Sequence, residues 1–163
     1  MNRLALAILI SIAALAAPCA TWADEPNPGY LGASLGTGLA EACHEDLTRR
    51  CADVATLRVF GGYHFNRNLA IEGALLTLGG DTGAAAELTA VGVAPLSERV
   101  ALYGKLGGFV GDTQTGLTTQ TGLTFGAGVR FHLGETFGVR AEWQHYEASG
   151  GGDLLSLGVF FRF

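Results

Sequence analysis

Apolar residues recur at every second position through most of the chain. The final segment shows the pattern: Leu155, Leu157, Val159, Phe161 and Phe163 alternate with Ser156, Gly158, Phe160 and Arg162. A period of two places alternate side chains on opposite faces of a strand. Eight such segments can be traced, at Gly29–Gly36, Thr56–Phe65, Leu69–Leu78, Ala85–Ala94, Val100–Phe109, Leu123–Leu133, Phe137–Tyr146 and Leu154–Phe163. Most approach the length of about 9–11 residues that a tilted strand needs to cross hydrocarbon. Turn residues separate them. The connections at Asn66–Asn68, Pro95–Arg99 and Gly134–Thr136 are short, whereas Thr37–Ala55 and Val110–Gly122 are long. This alternation predicts an all-β fold, an eight-stranded antiparallel up-and-down transmembrane β-barrel with short periplasmic turns and longer external loops.

The two faces of the predicted strands differ in chemistry. One carries Leu57, Val59, Ile71, Leu75, Leu88, Leu102, Leu106, Phe125, Val139 and Trp143, and no charge. The other carries Arg58, Glu72, Glu87, Lys105, Arg130, Arg140, Glu142 and Arg162. A soluble lipocalin-type barrel would turn the apolar set inward, and a membrane barrel would turn it outward. Eight charges are few for a wetted exterior. Moreover, the charged face holds Gly32, Gly62, Gly107, Gly126, Gly128, Gly138 and Gly158. Small residues suit the narrow interior of an eight-stranded barrel. The charges are therefore expected inside, as a paired network, because isolated buried ions are costly. Phe65, Phe131, Phe137 and Phe163 fall at strand ends on the short-turn side, where an aromatic girdle meets the membrane interface.

Composition agrees. Charged residues make up 15% of the sequence and the net charge is −5, with no basic patch to suit nucleic acid. Met1–Arg3 followed by the apolar run Leu4–Ala17 and the small-residue site Thr21-Trp22-Ala23 reads as a cleaved signal peptide. The expected domains are residues 1–23 as leader and 24–163 as barrel. A membrane-anchoring helix fits less well, since the run is too short to span, and Pro18 argues against lipidation at Cys19. Cys43 and Cys51 frame "CHEDLTRRC", which in an exported chain reads as a disulfide. Metal binding by Cys43, His44 and Cys51 is the alternative, but the spacing matches no standard zinc pattern.

The stretches "VFGGYHFNRNLAIEGALLTLG" and "GAGVRFHLGETFGVRAEWQHYEASGGGDLLSLGVFFRF" resemble the second hairpin and the last three strands of the OmpA-like outer-membrane barrels. "GYxFN…N" corresponds to that family's first periplasmic turn and "GVRAEW" to its seventh strand. The closing "FRF" departs slightly from the family's "YRF"-like tail. The resemblance implies a location in the outer membrane of a Gram-negative bacterium, among phospholipid and lipopolysaccharide. It also implies insertion by the barrel assembly machinery, with Phe161 and Phe163 in the recognition signal. Larger members continue into a peptidoglycan-binding domain, and because the sequence stops at Phe163 that tether is not expected.

Catalysis is not expected, and neither is a cofactor. A lipid A deacylase needs a serine beside a histidine base and an acid, but His132 is followed by Leu133-Gly134. His145 has Glu142 and Ser149 nearby in sequence, yet alternation puts His145 on the lipid side and Glu142 inside. His64 and His132 read as polar filling of the lumen. The expected function is therefore a monomeric, non-enzymatic barrel serving envelope structure, with surface interaction through the external loops toward a host molecule or lipopolysaccharide. A narrow gated ion channel is the first alternative and a lipid A-modifying enzyme the second.

Overall fold

The computed structural model describes residues 28–40, 54–78, 83–113, 119–147 and 152–163. Eight strands follow one another: β1 (Gly29–Ala40), β2 (Val54–Asn66), β3 (Leu69–Leu78), β4 (Gly83–Pro95), β5 (Val100–Thr113), β6 (Thr119–His132), β7 (Phe137–Glu147) and β8 (Gly152–Arg162). Each pairs antiparallel with its neighbour in sequence, and β1 pairs with β8 from Tyr30↔Arg162 to Ala40↔Gly152, closing the barrel. Closure removes the free edges that an open sheet would expose in hydrocarbon, where an unpaired backbone amide has no water to turn to. The eight strands are those the alternation predicts, in the predicted antiparallel order.

Three tight connections lie at one end. Between β2 and β3, the Asn68 amide donates to Asn66 Oδ1 at 2.9 Å, and the side chain of Asn68 donates to the Val93 carbonyl at 2.9 Å. A bulge between His64 and Asn66 shifts the register there. Between β4 and β5, Ser97 Oγ accepts from the Val100 amide at 3.1 Å. Between β6 and β7, the Leu133 amide donates to the Phe137 carbonyl at 2.9 Å. Phe65, Phe131, Phe137 and Phe163 stand exposed at this end, a ring of aromatics on the outer wall.

The other end departs from expectation. The predicted loop Val110–Gly122 is mostly strand, since β5 and β6 stay paired as far as Asp112↔Thr119. Only 114–118 joins them, much like 79–82 and 148–151, so 41–53 alone remains a long connection. The ladder satisfies backbone groups in water as well as in lipid, and threonines favour it. The same extension corrects the expectation that no strand charge faces outward. Glu147 and Asp153 fall within β7 and β8 on the outer face, close to the end of the ladder.

Inside, large rings lie over glycines. Tyr30 is paired with Gly62 and Phe60 with Gly32, Tyr103 with Gly128, and Phe160 with Gly138. At Gly128 a Cβ would meet both the Tyr103 hydroxyl and the Ala141 carbonyl at 2.5 Å. The glycines make room for the rings to fold flat across the lumen. Tyr30, Phe60, Tyr103 and Phe160 join Ala70, Ala74 and Val91 in one buried cluster.

Candidate functional site

The lumen holds the only concentration of buried charge among the described residues. Six of its side chains come from five strands: Arg58 (β2), Glu72 (β3), Glu87 (β4), Lys105 (β5), Arg140 and Glu142 (β7). All six are at most 1% exposed in their side chains. Arg58 sits at the centre. Its Nη1 donates to Glu142 Oε1 and to Gln144 Oε1 at 2.9 Å. Its Nη2 donates to Glu72 Oε1 at 3.1 Å and to Glu87 Oε1. One planar guanidinium therefore ties β2 to β3, β4 and β7 through both of its terminal nitrogens.

The other cations share the same carboxylates. Lys105 Nζ lies 2.8 Å from Glu142, 3.2 Å from Glu72 and 3.5 Å from Glu87. Arg140 Nη1 donates to Glu72 Oε2 at 2.7 Å, its Nη2 approaches Glu142 Oε2 at 3.5 Å, and its guanidinium stacks 3.2 Å from the centre of the Phe60 ring. Each glutamate also accepts from one tyrosine: Glu72 from Tyr30 at 2.9 Å, Glu142 from Tyr103 at 2.6 Å, and Glu87 from Tyr146 at 2.9 Å. Three cations thus meet three carboxylates, and neutral donors fill the remaining acceptor sites. Each carboxylate is thereby bonded at both oxygens, while Nε of Arg58 and Nε of Arg140 are buried without an acceptor among the described residues; a buried polar cluster depends on such pairing for its stability.

Tyr30, Tyr103, Tyr146, Gln144 and Thr124 belong to this cluster, yet a search for charge overlooks them. Gln144 donates to Glu87 at 2.8 Å and to Thr124 at 2.6 Å. Their signal in the sequence is parity: Tyr103 stands two positions from Lys105, and Gln144 and Tyr146 continue the inward set begun by Arg140 and Glu142.

Arg130 and Arg162 take a different place. The Arg130 guanidinium lies between the rings of Tyr30 and Tyr103, 4.8 and 4.6 Å from their centres. It donates to the Tyr30 hydroxyl and to His64 Nε2, each at 3.2 Å, and stands 3.6 Å from Glu72. Below it, toward the tight turns, opens a cavity of about 320 Å³ whose walls include Arg162, Arg67, His64, His132 and Glu98. His132 packs edge-on against Phe160 at 5.6 Å.

Glu142 and His145 do not come together. Glu142 is in the lumen, while His145 lies on the outer face, 2.8 Å from Asp153 and 5.1 Å from the Phe125 ring. Among the described residues no group of His, Cys, Asp and Glu is arranged to hold a metal ion. Cys43, Cys51, Ser149 and the leader 1–23 lie outside the described residues.

Solved structures share this architecture at low identity. The N-terminal β-barrel domain of Pseudomonas aeruginosa OprF matches with a TM-score of 0.67 and 15% identity, covering 84% of this chain and 98% of that one. Neisserial surface protein A matches at 0.59 and 17%, covering 83% and 97%. Ail, the attachment invasion locus protein of Yersinia pestis, matches at 0.56 and 19%, covering 84% and 97%. No curated protein matches the sequence. The OmpA-like resemblance of the hairpin and the closing strands thus agrees with the fold, and the model for the outer membrane protein beta-barrel domain matches residues 4–163: the chain belongs to that family.

Proposed function

We propose that this protein is a monomeric, non-enzymatic barrel of the Gram-negative outer membrane, exported by a cleaved leader at 1–23. It serves envelope structure, and its external loops serve surface interaction. The observation that carries this reading is the fastening of Arg58 to three glutamates of three other strands, a bonded cluster across the middle of the lumen that suits a plug better than a pore. Phe161 and Phe163, exposed on the outer wall, are suited to recognition by the assembly machinery. A Cys43–Cys51 disulfide would pin the long connection 41–53.

Ail of Yersinia pestis has been solved in complex with the heparin analogue sucrose octasulfate. The segment 41–53 here carries Glu41, Glu45, Asp46 and Asp53 against Arg49 and Arg50, so a polyanion of that kind is a poor match for it. A partner that presents positive charge, or lipopolysaccharide bridged by divalent cations, fits better.

The second reading, a gated channel, draws on the way Lys105 and Arg140 each reach more than one glutamate, so that pairs can exchange. Planar-bilayer recordings separate the two. The plug predicts no unitary conductance from the wild-type barrel, and reproducible steps would replace it with the channel. Lipid A mass spectra from cells with and without the protein should be identical, and an acyl-chain difference would establish an enzyme.

A further inference from the structure

Two residues belong both to the buried charge cluster and to the cavity beneath it. Tyr30 and Arg130 line the cavity. On their other side, Tyr30 donates to Glu72 at 2.9 Å and Arg130 stands 3.6 Å from the same carboxylate. They form the partition between the two spaces. Arg130 is held there by the rings of Tyr30 and Tyr103, whose centres lie 4.8 and 4.6 Å from its guanidinium. Two hydrogen bonds of 3.2 Å add to this, one to the Tyr30 hydroxyl and one to Nε2 of His64. A guanidinium can only donate, so Nε2 must accept. The His64 ring is therefore neutral, with its proton on Nδ1.

We infer that His64 and Arg130 form a proton-sensitive latch between the cavity and the charge cluster. A second proton on the ring places an N–H on Nε2, facing Nη1 of Arg130. Two donors and two positive charges then meet where one hydrogen bond stood. The other titratable groups around His64 are Tyr30 on β1, His132 on β6, Arg162 on β8, and Arg67 and Glu98 in the turns, with Glu72 on β3 beyond Tyr30. Only two of these are carboxylates. Glu98 is exposed, and Glu72 is already held by Arg140, Arg58 and Lys105 at 2.7, 3.1 and 3.2 Å. Neither is placed to bridge the two cations. Acid therefore releases Arg130 from the partition, and the cavity gains access to the cluster. The latch does not depend on the plug, since Arg58, Lys105 and Arg140 have their glutamates without it.

The test follows the full-length barrel, folded in neutral detergent, by nitrogen NMR. At about pH 7.5 the His64 ring should show the tautomer protonated on Nδ1, and the opposite tautomer would overturn the latch. The side-chain Nε–H signal of Arg130 should be displaced by the two rings that enclose it. On acidification to about pH 4.5, through the ordinary histidine range, that signal should move toward the position of the exposed Arg99, in step with His64. His64→Gln keeps a side-chain acceptor but cannot take the proton, and should remove the response. Accessibility gives a second readout. Val91 is fully buried and lies one inward position beyond Val93, which lines the cavity. With Cys43 and Cys51 replaced by serine, Val91→Cys should react with a small thiol reagent about tenfold faster or more when His64→Lys fixes the charge, the scale of one charge-assisted bond. Val93→Cys should react at the same rate with or without that change. A gel-mobility difference between boiled and unboiled samples confirms that each variant is folded. An Arg130 signal that ignores the His64 titration, a response that survives His64→Gln, or an unchanged rate at Val91→Cys would overturn the latch.

Discussion

The two faces of each strand obey different rules. On the outside, Leu35, Leu88, Leu106, Leu123, Leu155 and Leu157 are exposed, and their surroundings in the membrane are hydrocarbon on every side. One aliphatic residue there serves about as well as another. In the lumen, Arg58 has four named acceptors on three other strands, and Tyr103 needs a glycine directly across from it. A uniform solvent asks only for a type of side chain. A packed, charged interior asks for a particular residue at a particular height.

The sharpest way to break this contrast is Arg58→Leu. It leaves three buried glutamates around an apolar side chain and should cost about 3–5 kcal/mol, the scale of an uncompensated buried ion. Urea unfolding of the barrel in micelles measures it, and a loss below about 1 kcal/mol would mean that the cluster does not hold the strands together. Next comes the outer wall at mid-strand. Leu106→Arg places a charge in hydrocarbon opposite Ala90 and Phe125 and should cost about 2–4 kcal/mol. The same change in a water-facing wall would be nearly neutral, so this variant also tests which face meets lipid.

A smaller pair sharpens the comparison within one residue type. Gly128→Ala pushes a methyl group into Tyr103 and the Ala141 carbonyl and should cost about 1–3 kcal/mol by overpacking. Gly73→Ala, where the nearest atom to a new Cβ is 3.8 Å away, should stay within about 0.5 kcal/mol of wild type. Equal losses would erase the distinction between lumen and surface. The smallest effect belongs to the outer rim. Asp153→Asn breaks the pair with His145, whose partners are about a third exposed, and should change stability by about 0–1 kcal/mol.

The strand count, the order and the inward-facing parity were legible because each follows from local alternation. The charged set Arg58, Glu72, Glu87, Lys105, Arg130, Arg140, Glu142 and Arg162 can be read directly from that parity. The strand ends away from the tight turns were not legible. Gly and Thr in 110–122 serve a turn or a protruding ladder equally well, and the pairing of Asp112 with Thr119 chose the ladder. Nor does charge reveal Tyr30, Tyr103 and Tyr146, whose hydroxyls complete the glutamates.

By itself the sequence sorted the side chains into two sets, since a period of two needs no knowledge of any other strand, and the glycines and few charges of one set marked it as the lumen. Only the tertiary structure decided who meets whom. Arg58 and Glu142 are 84 positions apart, and Arg130 and Tyr30 are 100 apart. The register of eight closed strands sets the height of each group within the lumen. That register is also what gathers Arg58, Glu72, Glu87, Lys105, Arg140 and Glu142 into one cluster, although they come from five strands.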